Sequence, residues 1–366
     1  MPVLHLSCPW LGPWHPGCLS DASSDSGGRR PVPSGWYYVD VTSDPSKAAR
    51  RRVAAIDCGT NAIRLLVADT VPGGRTGYGP IELVDVHREE RIIRLGEGVD
   101  ATGRLTTGAL DRAWHALADY VAVIRATGAD GVRMVATSAT RDAENRDQFV
   151  EMVHATLGQY PEVISGAQEA ELTFAGAVAE LSPGAGPFLL VDVGGGSTEL
   201  VVGAGPGEPT GAVSLDIGSV RITERLLRSD PPTSGEWAAA QAWVDAELAD
   251  GWRRLAPGPV KTVLAVSGTA VTVAAAVLAR RLDTRTPHHL AEVEVDEIDA
   301  VTRFLARANR AHRASSPWLH PGRVDVIGGG ALILDRFARL VAERTGLGKL
   351  TVSEHDILDG LAYSLL

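Results

Sequence analysis

Apolar positions in this chain come in short runs that end on glycine or on an acid. One run begins at Val53, passes Ala54, Ala55 and Ile56, and closes on Asp57-Cys58-Gly59-Thr60-Asn61; a second, Ile63-Arg64-Leu65-Leu66-Val67-Ala68, follows directly. Short apolar runs bounded by turn residues read as strands, so this segment predicts strand, glycine turn, strand. The pattern returns at Phe188-Leu189-Leu190-Val191-Asp192-Val193, then Gly194-Gly195-Gly196-Ser197-Thr198, then Glu199-Leu200-Val201-Val202. Two such hairpins predict a duplicated domain. Between them the pattern predicts a helix over 107–120, a strand around Val132, Met134, Val135 and Ala136, a helix over 142–157 and a short strand at Glu162-Val163-Ile164. Beyond the second hairpin it predicts a helix over 233–249 and strands at 262–266 and 324–327. A last amphipathic helix covers 356–366, with Ile357, Leu358, Leu361 and Leu365 on or near one face. Strands mixed with helices of these lengths give an α/β fold.

Size and composition add limits. At 366 residues, with 45% hydrophobic and 22% charged positions, the chain has material for a full core and for two domains. Its longest apolar stretches are broken well before the roughly 18 residues of a membrane span. The start, MPVLHLSCPW, has no basic segment and is interrupted by proline, so it does not read as a secretory signal; a cytoplasmic protein is expected. Residues 1–50 are rich in Pro, Gly and Ser without amphipathic period and read as a disordered leader. Cys8, Cys18 and Cys58 have no CxxC spacing and predict no disulfide framework. A formal net charge of -10 argues against general nucleic-acid binding. A polyanionic substrate would need local arginines, whose planar fork suits phosphate oxygens.

The candidate chemistry sits in the loops. In Asp57-x-Gly59-Thr60-Asn61 an acid closes a strand, and small residues let the backbone turn N–H groups toward an anion. An ordinary hairpin turn is the alternative reading. The second loop, Asp192-x-Gly194-Gly195-Gly196-Ser197-Thr198-Glu199, is more specific, because three consecutive glycines are entropically costly. Magnesium prefers carboxylate and water oxygens and bridges phosphates. Asp57, Asp192 and Glu199 are therefore candidate Mg²⁺ ligands. Ser267-Gly268-Thr269 and Gly328-Gly329-Gly330 each follow an expected strand and read either as phosphate contacts or as tight strand-to-helix turns. Glu169 and Glu171 lie just beyond a strand, where a loop enters a helix; an acid there can orient water or simply favour the helix N-terminus. Arg64, Arg94 and Arg141 stand beside turns or strand ends and are candidate phosphate ligands. His288-His289 has no third ligand at a useful spacing and does not read as a metal site.

In order, VAAIDCGTNAIRLLVAD, RLGEGVDATGRL, VATSATRDAENRDQF, VISGAQEAELTFAGA, LLVDVGGGSTELVVG, AVSGTA and DVIGGGALIL, with a final helix, resemble the Ppx/GppA phosphatases, and the length resembles their short, two-domain members. The resemblance covers most of residues 53–366. It implies a duplicated actin-like (ribonuclease H-like) α/β fold with an interdomain cleft. Residues 51–184 would form the first domain, completed by a last helix over 355–366, and 185–354 the second. It implies that Glu169 is the catalytic base and that Asp192 and Glu199 are the metal- and water-positioning acids. Asp57 through Asn61 match the first phosphate loop, and Arg141 matches the arginine of the A-T-x-x-x-R segment. Four positions depart from the pattern: Gln168 and Glu171 around the base, Ala62 after the asparagine, and Ser267 where glycine is frequent. An extra acid at Glu171 would either weaken polyanion binding or alter the preferred chain length.

The expected activity is Mg²⁺-assisted release of terminal orthophosphate from linear inorganic polyphosphate. Gly59, Thr60, Asn61, Gly194, Gly195, Gly196 and Ser197 would cradle the terminal phosphate, with Ser267, Gly268, Thr269 and the three arginines as further contacts. Hydrolysis of guanosine pentaphosphate to the tetraphosphate would use the same residues. A non-catalytic polyphosphate or alarmone sensor fits the departures at Gln168 and Glu171, and a kinase or chaperone-type ATPase is a more distant alternative. Homodimerisation is implied by resemblance alone, and no membrane partner is expected.

Overall fold

In a computed structural model, the described residues are 51–72, 81–205, 207, 209–282 and 286–366, all within one compact unit, Asp44–Leu366. The leader, with Cys8 and Cys18, lies outside them. No helix among the described residues is long and apolar enough to cross a membrane.

Strands β1 (Arg52–Cys58), β2 (Ala62–Pro72), β3 (Ile81–Ile92), β4 (Gly131–Ala136) and β5 (Glu162–Val163) form one sheet in the order β3-β2-β1-β4-β5. Strands β6 (Phe188–Val193), β7 (Thr198–Gly203), β8 (Gly211–Leu215), β9 (Thr262–Val266), β10 (Ala291–Glu294) and β11 (Lys349–Val352) form the other, in the order β10-β11-β9-β6-β7-β8. Read from β8, the second sheet repeats the first: an antiparallel three-strand meander, then two parallel strands. β10 is an added antiparallel edge. This is the duplicated actin-like α/β architecture.

Period-two alternation in β1 explains how the first sheet is covered on both sides. Ala54, Ile56 and Cys58 face a core shared with Ala113, Leu117 and Tyr120 of the helix Thr107–Thr127, while Val53 and Ala55 face Leu172, Ile357, Leu358 and Leu361. The final helix, Ile357–Tyr363, therefore packs beneath the first sheet. The helix Gly166–Val178 is wedged between the sheets: Leu172 joins the first core, and Ala170, Phe174 and Ala177 pack on Phe188, Leu190 and Leu264 of the second. Truncating the fully buried Phe174 to alanine is expected to cost about 3–5 kcal/mol.

Several elements differ from the sequence reading. The helix expected over 142–157 is broken into Ser138–Asp142 and Arg146–Leu157. Between them the Asn145 side chain accepts from Leu105 N at 2.8 Å and donates to Leu105 O at 3.0 Å, using hydrogen bonds outside the helix. The expected strand at 324–327 does not exist. Those residues lead straight into the helix Ile327–Thr345, in which Gly329 and Gly330 lie against Ser219 and Thr269, so the glycines serve helix packing rather than a strand-end turn.

Candidate active site

The first hairpin places Asp57 directly opposite Arg64. Asp57 Oδ2 accepts from Arg64 Nε at 3.0 Å and Nη2 at 2.7 Å, and the same guanidinium also grips Asp356. Arg64 lines the cleft but is engaged by two buried carboxylates, a different setting from the open phosphate ligand suggested by its position in sequence. Asp57 Oδ1 is buried without a hydrogen-bond partner.

The second hairpin places Asp192 opposite Glu199. Here no cation stands across the strand pair. Glu199 is almost wholly buried beneath the cleft, its Oε1 accepting from Ser214 Oγ at 2.7 Å. Burial first, and then the Asp192 charge, push the Glu199 carboxyl up to about 8. Burial and the nearby Asp356 push Asp192 up to about 6.

The triple-glycine loop lies so close to the first lobe that a Cβ on Gly196 would stand 2.1 Å from Ser138 Oγ and 2.9 Å from Thr60 Oγ1. Glycine is required for that approach whatever ligand is bound. Thr60 and Ser138 are themselves joined at 3.0 Å between hydroxyls. The amides of Gly59 and Gly194 donate to Ala62 O at 2.9 Å and Ser197 O at 3.0 Å. These two N–H groups, assigned to an anion on sequence, instead close their own turns.

Glu169 enters from the helix Gly166–Val178. Ser165 caps that helix and accepts from Gln168 N, while Gln168 Oε1 accepts from Ser165 N at 3.0 Å. The departure at Gln168 is thus a capping-box residue that fixes the turn presenting Glu169. Arg141 reaches Ile164 O at 2.9 Å and the Glu169 carboxylate at 3.4 Å. Burial, then Glu199 and Asp192, push the Glu169 carboxyl well up, against Arg141. Glu171 does not line the cleft.

Asp57, Arg64, Glu169 and Asp192 line an open cleft of about 770 Å³, together with Thr60, Asn61, Gly195, Ser197, Ser267, Gly268 and Thr269; Glu199 and Arg141 are not in the lining and reach it only through Asp192 and Glu169. Ser267 has a left-handed φ of 67°, which accounts for the preference for glycine there. Arg94 is not in the cleft; it pairs with Asp325 at 2.8 Å. Two arginines that carried no sequence motif matter here, Arg323 inside the cleft and Arg221 outside it. Arg323 enters the cleft from the turn Pro321–Arg323, pairs with Glu90 at 2.6 Å, and lies so near Gly268 that a Cβ would meet its Nη1 at 1.4 Å. Arg221 donates to Gly196 O at 2.8 Å while bridging Asp100 at 2.8 Å and Asp142 at 2.7 Å, tying the second loop to the first lobe.

Among the described residues, Glu180, His289 and His355 bring three metal-type ligand atoms within 4.8 Å of one another, beyond the cleft. The fold brings His289 together with two partners that are distant in the chain.

Doubled sheets, paired glycine hairpins and acids gathered where the two halves meet define an actin-like α/β protein with an acid-lined cleft. The profile of the Ppx/GppA phosphatase family matches residues 67–365. "Exopolyphosphatase 2" of Mycobacterium tuberculosis is 48% identical over 322 residues, 87% of this chain and 99% of that one. The crystal structure of an exopolyphosphatase-like protein superposes with a TM-score of 0.80 at 39% identity, covering 86% of this chain and 98% of its own. That of an Aquifex aeolicus Ppx/GppA member gives 0.69 at 29%, covering 87% and 98%. The chain belongs to the Ppx/GppA phosphatase family.

Proposed function

We propose that this protein is an exopolyphosphatase that releases terminal orthophosphate from linear inorganic polyphosphate with the help of Mg²⁺. The observation that carries the reading is the buried acid cluster of Glu169, Asp192 and Glu199 at the meeting of two glycine loops, with more negative charge than the neighbouring Arg141 offsets. Buried carboxylates that repel one another, and the unpartnered Asp57 Oδ1, fit a hard cation bound through oxygens. Asp192 and Glu199 would hold Mg²⁺, with Asp57 contributing directly or through water. The ion supplies charge neutralisation for the phosphate oxygens when bound.

Glu169 orients the attacking water, and Arg141 fixes the carboxylate that does so. Thr60, Asn61, Gly195, Gly196 and Ser197 hold the terminal phosphate, while Ser267, Gly268 and Thr269 meet it from the second lobe. Because phosphoryl transfer passes through a loose transition state, alignment and charge stabilisation matter more than strong proton abstraction. Cleavage of the terminal anhydride by water yields orthophosphate and a chain one unit shorter.

The test is orthophosphate release with Mg²⁺ from long-chain polyphosphate, guanosine pentaphosphate and ATP, beside a Glu169→Ala variant. Release from polyphosphate that collapses in the variant and in chelator is expected. Release from guanosine pentaphosphate alone would overturn the substrate, and ligand binding without any release would make the protein a sensor.

A further inference from the structure

Glu180 lies just past the end of the helix that carries Glu169, eleven residues further on (169 to 180), or roughly 16 Å at the rise of an α-helix. His289 comes from the segment before β10, and His355 from the segment between β11 and the final helix. One donor atom from each lies within 4.8 Å of the others. His289 Nε2 stands 3.0 Å from Glu180 Oε1, and His355 Nδ1 approaches the same oxygen more closely. Yet Glu180 Oε1 and His289 Nε2, both shut off from solvent, make no aligned hydrogen bond. Two imidazoles and a carboxylate from three distant segments thus present three potential ligand atoms to one point.

We propose that Glu180, His289 and His355 bind a divalent transition-metal ion of the Zn²⁺ class, at a site separate from the carboxylate cleft. Two imidazoles and one carboxylate are a ligand set that zinc accepts, with a fourth position open to water, whereas magnesium prefers oxygen alone. Tetrahedral bonds of about 2.1 Å place ligand atoms roughly 3.4 Å apart, so both histidine contacts to Glu180 Oε1 widen on loading. Loading moves the His289 ring proton to Nδ1, and the long 3.2 Å bond that this atom accepts from Glu354 N is given up. His355 adjoins Asp356, the carboxylate that holds Arg64, so the ion pins the segment supporting the first hairpin.

The test uses the full chain, stripped by chelator and titrated with Zn²⁺ against a competing indicator, with Co²⁺ absorption as a spectroscopic readout. One Zn²⁺ equivalent is expected to bind in the wild type and in Glu199→Gln. His289→Gln is expected to weaken it by on the order of 100-fold or more and to erase the visible Co²⁺ band, since even loss of a ligand's supporting partner costs about 10–100-fold. Should His355→Gln fail to fold, Glu180→Gln and His289→Gln give the same readout. Absence of a bound equivalent, or binding that survives His289→Gln and disappears in Glu199→Gln, overturns the proposal.

Discussion

The two hairpins use one backbone solution with opposite electrostatics. Across β1 and β2, Asp57 meets Arg64, and Asp356 completes a buried acid–arginine–acid bridge. Across β6 and β7, Asp192 meets Glu199; neither accepts a hydrogen bond from a cation, Arg64 acting on Asp192 only through space while Arg141 contacts the third acid, Glu169. One cross-strand position therefore separates a hairpin that largely satisfies its own charge from one that cannot. The fold supplies two equivalent platforms; the residue facing the strand-end aspartate decides which has charge left for a ligand.

The largest effect expected from breaking this contrast is on turnover. Glu199→Gln should lower kcat for polyphosphate by about 10³-fold, some 4 kcal/mol of transition-state stabilisation, while the urea midpoint stays equal or rises because folding no longer has to bury a carboxyl that the unfolded chain ionises. Unchanged turnover would mean that the acidic pair is incidental. In the first hairpin the order of effects reverses. Arg64→Met leaves Asp57 and Asp356 buried and unpaired and should cost about 3 kcal/mol in urea unfolding.

The contrast also has a pH signature. The Glu199 carboxyl is pushed from its ordinary 4.5 up to about 8, so the native state holds a proton that the unfolded chain has lost. Stability without divalent ion should therefore be greatest below pH 4.5 as far as this group is concerned. It should fall by roughly 1.4 kcal/mol per pH unit as pH rises toward 8, and level off above that. Mg²⁺ should flatten the slope by favouring the charged form; thermal unfolding with and without chelator measures both. Smallest is Ser267→Gly, which relieves a left-handed serine at the loss of a long 3.4 Å contact to Asp356 and should raise the unfolding free energy from urea titration by about 0.5–1 kcal/mol.

The hairpins were legible in sequence because their chemistry is local: an apolar run, an acid, then glycines. β9 was legible for the same reason, its apolar run filling the observed Thr262–Val266. β3 was not, since its surface-facing residues carry little apolar pattern and its partner is fixed by tertiary pairing with β2. The helix Ile327–Thr345 was missed because three glycines at its start read as a turn; the buried Ile327, Ala331, Leu334, Ala338 and Val341 beyond them hold the helical spacing that reveals it. Within the site, the acids and glycines announced themselves. Arg221, Arg323 and the Glu180–His289–His355 group did not, because each depends on residues brought together only by the fold.

The final helix also sets an order of events during synthesis. The underside of the first sheet stays open until Ile357, Leu358 and Leu361 leave the ribosome, after the whole second lobe has been made. The first sheet, made first, is thus the last to be covered. An emerging chain exposes Val53, Ala55 and Leu66 throughout, a natural surface for a chaperone.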